Sequence, residues 1–129
     1  INERGGMENN KLRVLIVSNF GAHQKAIQAM CASIPQISDV YSVADTNQAL
    51  EMVKTNLPDL MILGANLAES KVVEFLSRVT SMPFPPYCIT LTLSDNDKSF
   101  DQNQCAGQIV STRSFAVKLP EILSEVYAI

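Results

Sequence analysis

The chain has 129 residues, a length that favours one domain able to bury a core of its own. Its net charge of -3 and pI near 5.0, with Lys and Arg scattered, argue against direct nucleic-acid binding, which usually requires a basic patch. No apolar run is long enough to span a membrane, and residues 1–10 lack a secretion-signal core, so we expect a cytoplasmic protein.

Metal-ligating residue types are sparse in the sequence. Cys31, Cys88 and Cys105 form no CxxC pair, and His23 is the one histidine, so a zinc site is not expected. Cys31 and Cys88 fall within apolar patterns and are predicted to be small core residues.

The chain begins with a polar stretch and then alternates between strand and helix patterns. Residues 1–10 have no apolar periodicity, and we predict a flexible leader before a single domain over residues 11–129. The apolar, β-branched run 12–17 predicts a buried strand. Apolar residues at helical spacing follow over 22–34, and Pro35 ends the predicted helix.

A second strand and helix precede the most apolar run of the chain. Residues 40–43 predict a short strand, and residues 44–46 offer an N-cap for a helix whose apolar stripe reaches Leu57. The run 60–63 contains only apolar residues and stops at Gly64. A short apolar run with such borders predicts a strand that is buried on both faces, as in parallel sheets.

The next helix and strand are separated by a proline-rich stretch. Residues 71–79 have helical spacing, and residues 88–93 predict a fourth strand with two threonines. The stretch 81–87 contains three prolines and predicts a loop. It also matches the PxxP ligand pattern, but so short a match is common by chance, and the loop explains it better.

The last third of the domain has weaker signals. Residues 94–104 are polar, with Phe100 as their one apolar residue, and predict a weak or shortened fourth helix. A brief fifth strand is expected over 106–111. The final amphipathic helix contains Pro120, so we predict that its regular part begins only near Leu119, where proline suits the first turn.

Alternating strands and helices predict an α/β fold with a five-stranded parallel sheet and helices on both faces. The economical strand order is the flavodoxin-like 2-1-3-4-5. Ligands of such sheets bind outside the carboxyl ends of the strands, which directs attention to Gly64.

Three segments carry a resemblance to a known family. Residues 14–20, 58–67 and 88–93 resemble the core strands of the response-regulator receiver domain of two-component systems. The resemblance covers residues 11–129 and is closest to receivers that precede a helix-turn-helix output domain.

The resemblance implies a phosphoacceptor pocket at five positions of this chain. The family's acidic magnesium-binding pair falls on Ser18 and Asn19, and its phosphoacceptor aspartate falls on Gly64. The hydroxyl residue after the fourth strand is retained as Thr92, whereas the lysine after the fifth strand falls on Thr112.

Two further residues complete the comparison with the family. Asn66, in the loop after Gly64, supplies a neutral oxygen, and Ile109 replaces the aromatic switch residue of the fifth strand.

The residues at these positions predict a vestigial pocket that is not phosphorylated. An acyl phosphate requires a carboxylate nucleophile, which Gly64 lacks, and magnesium binds through carboxylates, which the pocket also lacks. Asp59 cannot substitute, because it precedes the third strand and lies about 17 Å away at the other end of the sheet. We therefore expect no catalytic residue, no cofactor and no bound Mg²⁺.

Other interpretations of single residues remain open. Ser18 and Asn19 suggest a new nucleophile with a helper, although satisfying backbone groups at a strand end is the simpler role. Thr92 is an anion ligand or merely a β-forming residue. His23 is a general base or a solvated helix residue, and no Ser or Cys partner is legible for it.

The leading functional hypothesis is a phosphorylation-independent, atypical receiver. It would act as a protein-protein interaction module in signal transduction and regulate transcription through an attached output domain. A protein partner or a homodimer is expected, with the face formed by residues 94–129 as a candidate interface. The alternative is a pseudo-receiver that senses a small molecule in its neutral pocket. An enzyme of flavodoxin-like fold ranks last, because the strand ends carry almost no titratable residues.

Overall fold

A computed structural model of the chain describes residues 11–65, 67, 69–83, 85–92 and 107–127. The leader, Asn66, Cys105 and the predicted weak helix over 94–104 lie outside these residues. The described elements are, in chain order, β1 Leu12–Val17, α1 Gly21–Ala32, β2 Ile37–Val43, α2 Thr46–Asn56, β3 Leu60–Leu63, α3 Glu69–Thr80, β4 Tyr87–Thr92, β5 Gly107–Ser111 and α4 Phe115–Tyr127.

The strands form one parallel sheet in the order β2-β1-β3-β4-β5, as the sequence predicts. β3 pairs with β1 on one side and β4 on the other, and all four of its residues are buried. This position explains its uninterrupted apolar sequence, since both faces of a central parallel strand are covered. β2 is an edge strand, and its polar residues tolerate the partial exposure that an edge brings.

Helices cover both faces of the sheet, also as predicted. Alternate residues of each strand point to opposite faces, which divides the core into two clusters. The helical residues that α1 and α4 contribute to the first cluster are Ile27, Cys31, Phe115, Leu119, Ile122 and Leu123. Those that α2 and α3 contribute to the second are Ala49, Val53, Val72, Phe75, Leu76 and Val79.

The strand β2 begins earlier than the sequence predicts. We expected residues 40–43, but pairing with β1 extends the strand back to Ile37. The extension is held by the Leu12 amide, which donates to the Gln36 carbonyl at 2.8 Å, and by the Ser38 hydroxyl, which donates to the Leu12 carbonyl at 3.2 Å.

The prediction for the last helix is wrong at its start. α4 begins at Phe115 and includes Pro120, whereas we expected a regular helix only from Leu119. The amide of Lys118 bonds the Ser114 carbonyl at 2.9 Å and completes the first turn before the proline. Phe115 is buried on the same side as Leu119, and burying that ring outweighs the one helical hydrogen bond that proline removes.

Helix α2 is capped at both ends. The Gln48 amide donates to the Asp45 carboxylate at 2.8 Å, and the Gln48 side chain accepts from the Ala44 amide at 3.0 Å, a pattern related to the capping box. A cap was predicted within residues 44–46, and the structure shows that it is Asp45. The helix ends at Asn56, and Leu57 follows as the C-cap in the left-handed conformation, with φ 48° and ψ 61°.

We expect Leu57→Gly to raise the free energy of unfolding by about 0.5 kcal/mol. A non-glycine residue in this conformation is strained by roughly 1–2 kcal/mol, which exceeds the backbone-entropy loss of roughly 0.5–1 kcal/mol that glycine brings. Urea denaturation measures the change. Leu57→Ala is the control, because alanine keeps the strain; an equal gain in both variants would contradict the explanation.

Cys31 and Cys88 are both buried, as predicted. Burial raises the pKa of the Cys31 thiol from 9.0 to about 11, because a thiolate would be poorly solvated in the core.

This shift predicts a loss of stability in alkaline solution. The pKa of Cys31 is higher in the folded state than in the unfolded state. The protonated thiol therefore contributes fully to the free energy of unfolding below pH 9.0, and this contribution is lost as the pH rises toward about 11. The loss should reach about 2–3 kcal/mol. Denaturant titrations at several pH values measure it, with Cys31→Ala as the control, since that variant is less stable but should show a flatter pH profile. An unchanged profile in that variant would contradict the assignment.

Candidate functional site

The carboxyl ends of four parallel strands meet at one edge of the sheet. Ser18 follows β1, Gly64 follows β3, Thr92 ends β4 and Thr112 follows β5, so the topology brings these four predicted positions to the same edge. Asn19 is exposed, and Asn66 lies outside the described residues. The sequence alone suggested this gathering, because strand ends of a parallel sheet share an edge.

Gly64 lies against the end of β1, next to Ser18. The Gly64 amide donates to the Val17 carbonyl at 2.7 Å, which draws the start of the β3–α3 loop against the end of β1. A Cβ atom added to Gly64 would lie 3.1 Å from both Cβ and Oγ of Ser18 and 3.2 Å from the Val17 carbonyl oxygen. Ser18 therefore leaves little room for the Cβ atom of an acidic side chain at position 64.

The Ser18 hydroxyl is engaged by its own loop. It accepts from the Phe20 amide at 3.2 Å and donates to the Phe20 carbonyl at 3.3 Å, and the residue is only 3% exposed. This geometry fits the simpler role of satisfying backbone groups as β1 turns into α1.

Gln24 is a positioning residue that the sequence reasoning missed. Its side-chain amide donates to the carbonyl oxygens of Ser18 at 3.4 Å and Val43 at 3.3 Å. It thereby ties the carboxyl ends of β1 and β2 together from the first turns of α1. A polar residue on the strand-facing side of a predicted amphipathic helix was the available signal.

At the other side of the edge, hydroxyl residues organise the turn into α4. The Thr112 amide donates to the Thr92 carbonyl at 2.8 Å, which extends the pairing of β4 and β5 by one residue. Ser111 accepts from the Ser114 amide at 3.2 Å and lies 3.2 Å from its hydroxyl oxygen. Ile109 lies within β5 opposite Thr90, partly buried.

The described part of this edge is electrically neutral at the predicted positions. Ser18, Asn19, Gly64, Thr92 and Thr112 carry no formal charge. Within the described ranges, no three or more His, Cys, Asp or Glu side chains are grouped so that they could hold a metal ion. Magnesium prefers carboxylate oxygens, so these residues do not fit it. Asp59 precedes β3 and lies at the opposite edge, as expected.

An apolar hollow of about 150 Å³ opens between α1 and the start of α4, next to Thr112. Ile27, Leu91 and Phe115 are its buried lining residues, and His23 is at its rim. The His23 ring packs edge-on against Phe20, with 5.2 Å between the ring centroids. His23 is thus a partly buried helix residue with an aromatic neighbour.

A larger groove of about 460 Å³ lies at the amino edge of the sheet, where no sequence pattern predicted a site. The loop after α2, the loop before β4 and the end of α4 line it. The Tyr127 hydroxyl crosses to the Asp59 carbonyl at 2.7 Å. Burial, and to a lesser extent the Asp59 carboxylate, raise the pKa of Tyr127, so its hydroxyl remains a protonated donor.

No helix in the described part of the chain has the length and apolarity to cross a membrane.

No family model matches the chain. Two curated proteins share sequence with it, a protein-glutamate methylesterase/protein-glutamine glutaminase from Hydrogenovibrio crunogenus (32% identity over 94 residues) and one from Vibrio vulnificus (26% over 90 residues). The matches cover 71% and 70% of this chain, which spans about a quarter of the length of these relatives (25% and 26%).

Solved structures resemble the chain over nearly its whole length. A LuxR-family two-component response regulator from Aurantimonas sp. SI85-9A1 superposes with a TM-score of 0.76 at 16% identity, covering 92% of this chain and 86% of the other. The response regulator domain of Thermotoga maritima CheB gives 0.74 at 17% identity, covering 92% and 98%. A CheY-like receiver domain from Methylobacillus flagellatus gives 0.74 at 14%, covering 89% and 98%. The chain therefore has the fold of the response-regulator receiver (CheY-like) domain.

Proposed function

We propose that the chain is an atypical receiver that works without phosphorylation, as a protein-protein interaction module in signal transduction. The observation that supports this most strongly is the glycine at position 64, next to Ser18. The position at the carboxyl end of β3 has no carboxylate, and a Cβ atom there would already lie 3.1 Å from Ser18. In-line attack on a phosphoryl donor needs a nucleophile at this point.

The surrounding edge supports the same proposal. Ser18, Thr92 and Thr112 are neutral, so these described residues neither hold a metal ion through a carboxylate nor supply a positive charge to neutralise a transferring phosphoryl group. Because phosphate does not shift an equilibrium between two conformations, Ile109 does not act as a phosphorylation-dependent switch residue. A protein partner, or a second copy of the chain, takes the place of phosphate in controlling the module, and no reaction is catalysed by this domain.

An output domain is part of the proposal. One structural neighbour is a two-component response regulator of the LuxR family, and the chain covers 86% of it. By analogy, we infer that this domain regulates transcription in the cytoplasm through an attached DNA-binding domain, while binding no nucleic acid itself. We do not assign the methylesterase activity of the curated relatives to this chain, since the chain matches only about a quarter of their length.

The test is an amide NMR titration with magnesium and beryllofluoride, a mimic of the phosphoryl group. We expect no saturable shift at Ser18, Gly64, Thr92 or Ile109, because neither a carboxylate nor a metal is available to bind the mimic. A receiver with an intact acidic pocket is the positive control for the reagent. Saturable shifts at Ser18 and Gly64 that spread to Ile109 would overturn the proposal.

A second candidate function is small-molecule sensing. The apolar hollow of about 150 Å³ beside Thr112 favours it, because such a cavity accommodates one small apolar or aromatic group. Titration with indole is the direct test. Saturable amide shifts at Ile27, Leu91 and Phe115 would support it, and unchanged spectra at the solubility limit would remove it.

A further inference from the structure

The groove at the amino edge has features that the receiver fold does not require. Its volume of about 460 Å³ is larger than the hollow beside Thr112 and is of the size that binding sites commonly have. It lies at the edge opposite Gly64, so none of its lining residues belongs to the vestigial pocket.

Two exposed apolar side chains flank this groove. Leu57 is 58% exposed and Val126 is 37% exposed, and both line it. Leu57 also holds the left-handed backbone conformation, which glycine or asparagine would adopt with less strain. More than half of the leucine side chain therefore remains in contact with solvent at a position where its backbone is strained. An apolar side chain that is kept in solvent at a conformational cost indicates a contact outside the fold.

The groove is built from rigid residues. Pro85 and Pro86 restrict the backbone on one side, and Tyr87 and Tyr127 are partly buried residues that pack against the first core cluster and also line the groove. The hydrogen bond of 2.7 Å from the Tyr127 hydroxyl to the Asp59 carbonyl fixes the end of α4 against the loop before β3. Rigid grooves of tyrosine and proline bind proline-rich segments, because a polyproline II helix is itself preorganised and stacks well on rings.

The charge of the groove is negative. Among the described residues that line it, Asp59 bears the only charge, and its side chain is exposed. One carboxylate oxygen of Asp59 accepts from the Arg13 amide at 2.9 Å. The Arg13 guanidinium donates to the Asn56 carbonyl at 2.8 Å. The carboxylate is thus oriented and can meet a cation from a partner.

We propose that this groove binds an extended, proline-containing segment of a partner protein that carries one Lys or Arg. The apolar residues of the segment pack on Leu57 and Val126, its prolines stack on Tyr87 and Tyr127, and its cation pairs with Asp59. The partner is another protein and not a second copy of this chain, because this chain has no Lys or Arg within three residues of Pro35, Pro58, Pro83, Pro85 or Pro86, and Pro120 lies inside α4.

The test is an amide NMR titration with a synthetic peptide of alanine and proline that has one central arginine. We expect saturable shifts at Leu57, Tyr87 and Val126. Two control peptides, one with glutamate in place of arginine and one with glycine in place of each proline, should bind at least fivefold more weakly.

Protein variants separate binding from folding. Asp59→Asn should weaken the peptide at least fivefold, and Leu57→Gly should weaken it similarly while the unfolding midpoint stays equal or rises. Val117→Ala is the matched control, since Val117 is 69% exposed on α4 and does not line the groove, and it should bind like the unchanged chain.

Three outcomes would overturn the proposal: no saturable shift at millimolar peptide, equal binding of the glycine peptide, or equal binding by Leu57→Gly. Shifts at Leu57 and Val126 that depend on protein concentration without peptide would assign the groove to a second copy and would also overturn it.

Discussion

Gly107→Ala is expected to lower the free energy of unfolding by about 3 kcal/mol or more. A Cβ atom at this position would overlap the Cys88 carbonyl oxygen and lie 2.8 Å from its carbonyl carbon. Both atoms belong to the backbone of β4, which is held between β3 and β5 and cannot move away without breaking its own pairing. Overpacking that a flexible side chain cannot relieve is strongly destabilising.

The control is the same substitution at Gly21, the first residue of α1. No atom lies within 4 Å of an added Cβ there, and alanine is the better helix former, so we expect a small gain in stability. Neither glycine has a positive φ, so the comparison isolates the steric contact. Urea denaturation measures both variants. A loss below about 1 kcal/mol for Gly107→Ala would show that β4 and β5 can separate slightly at little cost.

Gly64→Asp restores the acidic residue of the receiver pattern but is expected to restore no phosphorylation. The new Cβ would press on Ser18 at 3.1 Å, and the carboxylate would enter a buried, neutral edge. We expect a loss of about 2–4 kcal/mol in the free energy of unfolding, because overpacking and an unpaired buried charge act together. Intact-mass spectrometry after incubation with acetyl phosphate and magnesium should show no phosphoryl adduct.

Two variants separate the causes of this effect. Gly64→Ala introduces the steric contact without the charge and should lose only about 1–2 kcal/mol. The double variant Ser18→Gly/Gly64→Asp removes the Ser18 side chain that crowds position 64. It should therefore recover part of the free energy of unfolding that Gly64→Asp loses. A phosphoryl adduct on Gly64→Asp would mean that one substitution rebuilds the site, and the neutral edge would then be no barrier to phosphate.

The fold could be predicted from the sequence because its determinants are local and repeated. The apolar run of β3, the strand-like run of β1 and the helical stripes between them predict a parallel sheet, and short right-handed crossovers leave few orders to choose from. The absence of a carboxylate at position 64 could also be predicted, because the residue type at a position is given directly by the sequence.

The tertiary structure decided the features that depend on distant parts of the chain. Pro120 suggested a late start for α4, but burial of Phe115 against the sheet extends the helix to that residue. Ser18 lies next to Gly64 because β1 and β3 are neighbours, so the sequence showed that the carboxylate is missing but not that Ser18 crowds its position.

The groove at the amino edge could not be predicted for the same reason. It brings together Leu57, Tyr87 and Val126, which are far apart in the chain, and each alone has an ordinary pattern. Only the strained conformation of Leu57 and its exposure distinguish it, and both are properties of the folded backbone. The sequence by itself determined the order of the strands and the neutrality of the carboxyl edge, because both follow from local patterns and residue identities. Packing between distant elements determined which surfaces remain open for a partner.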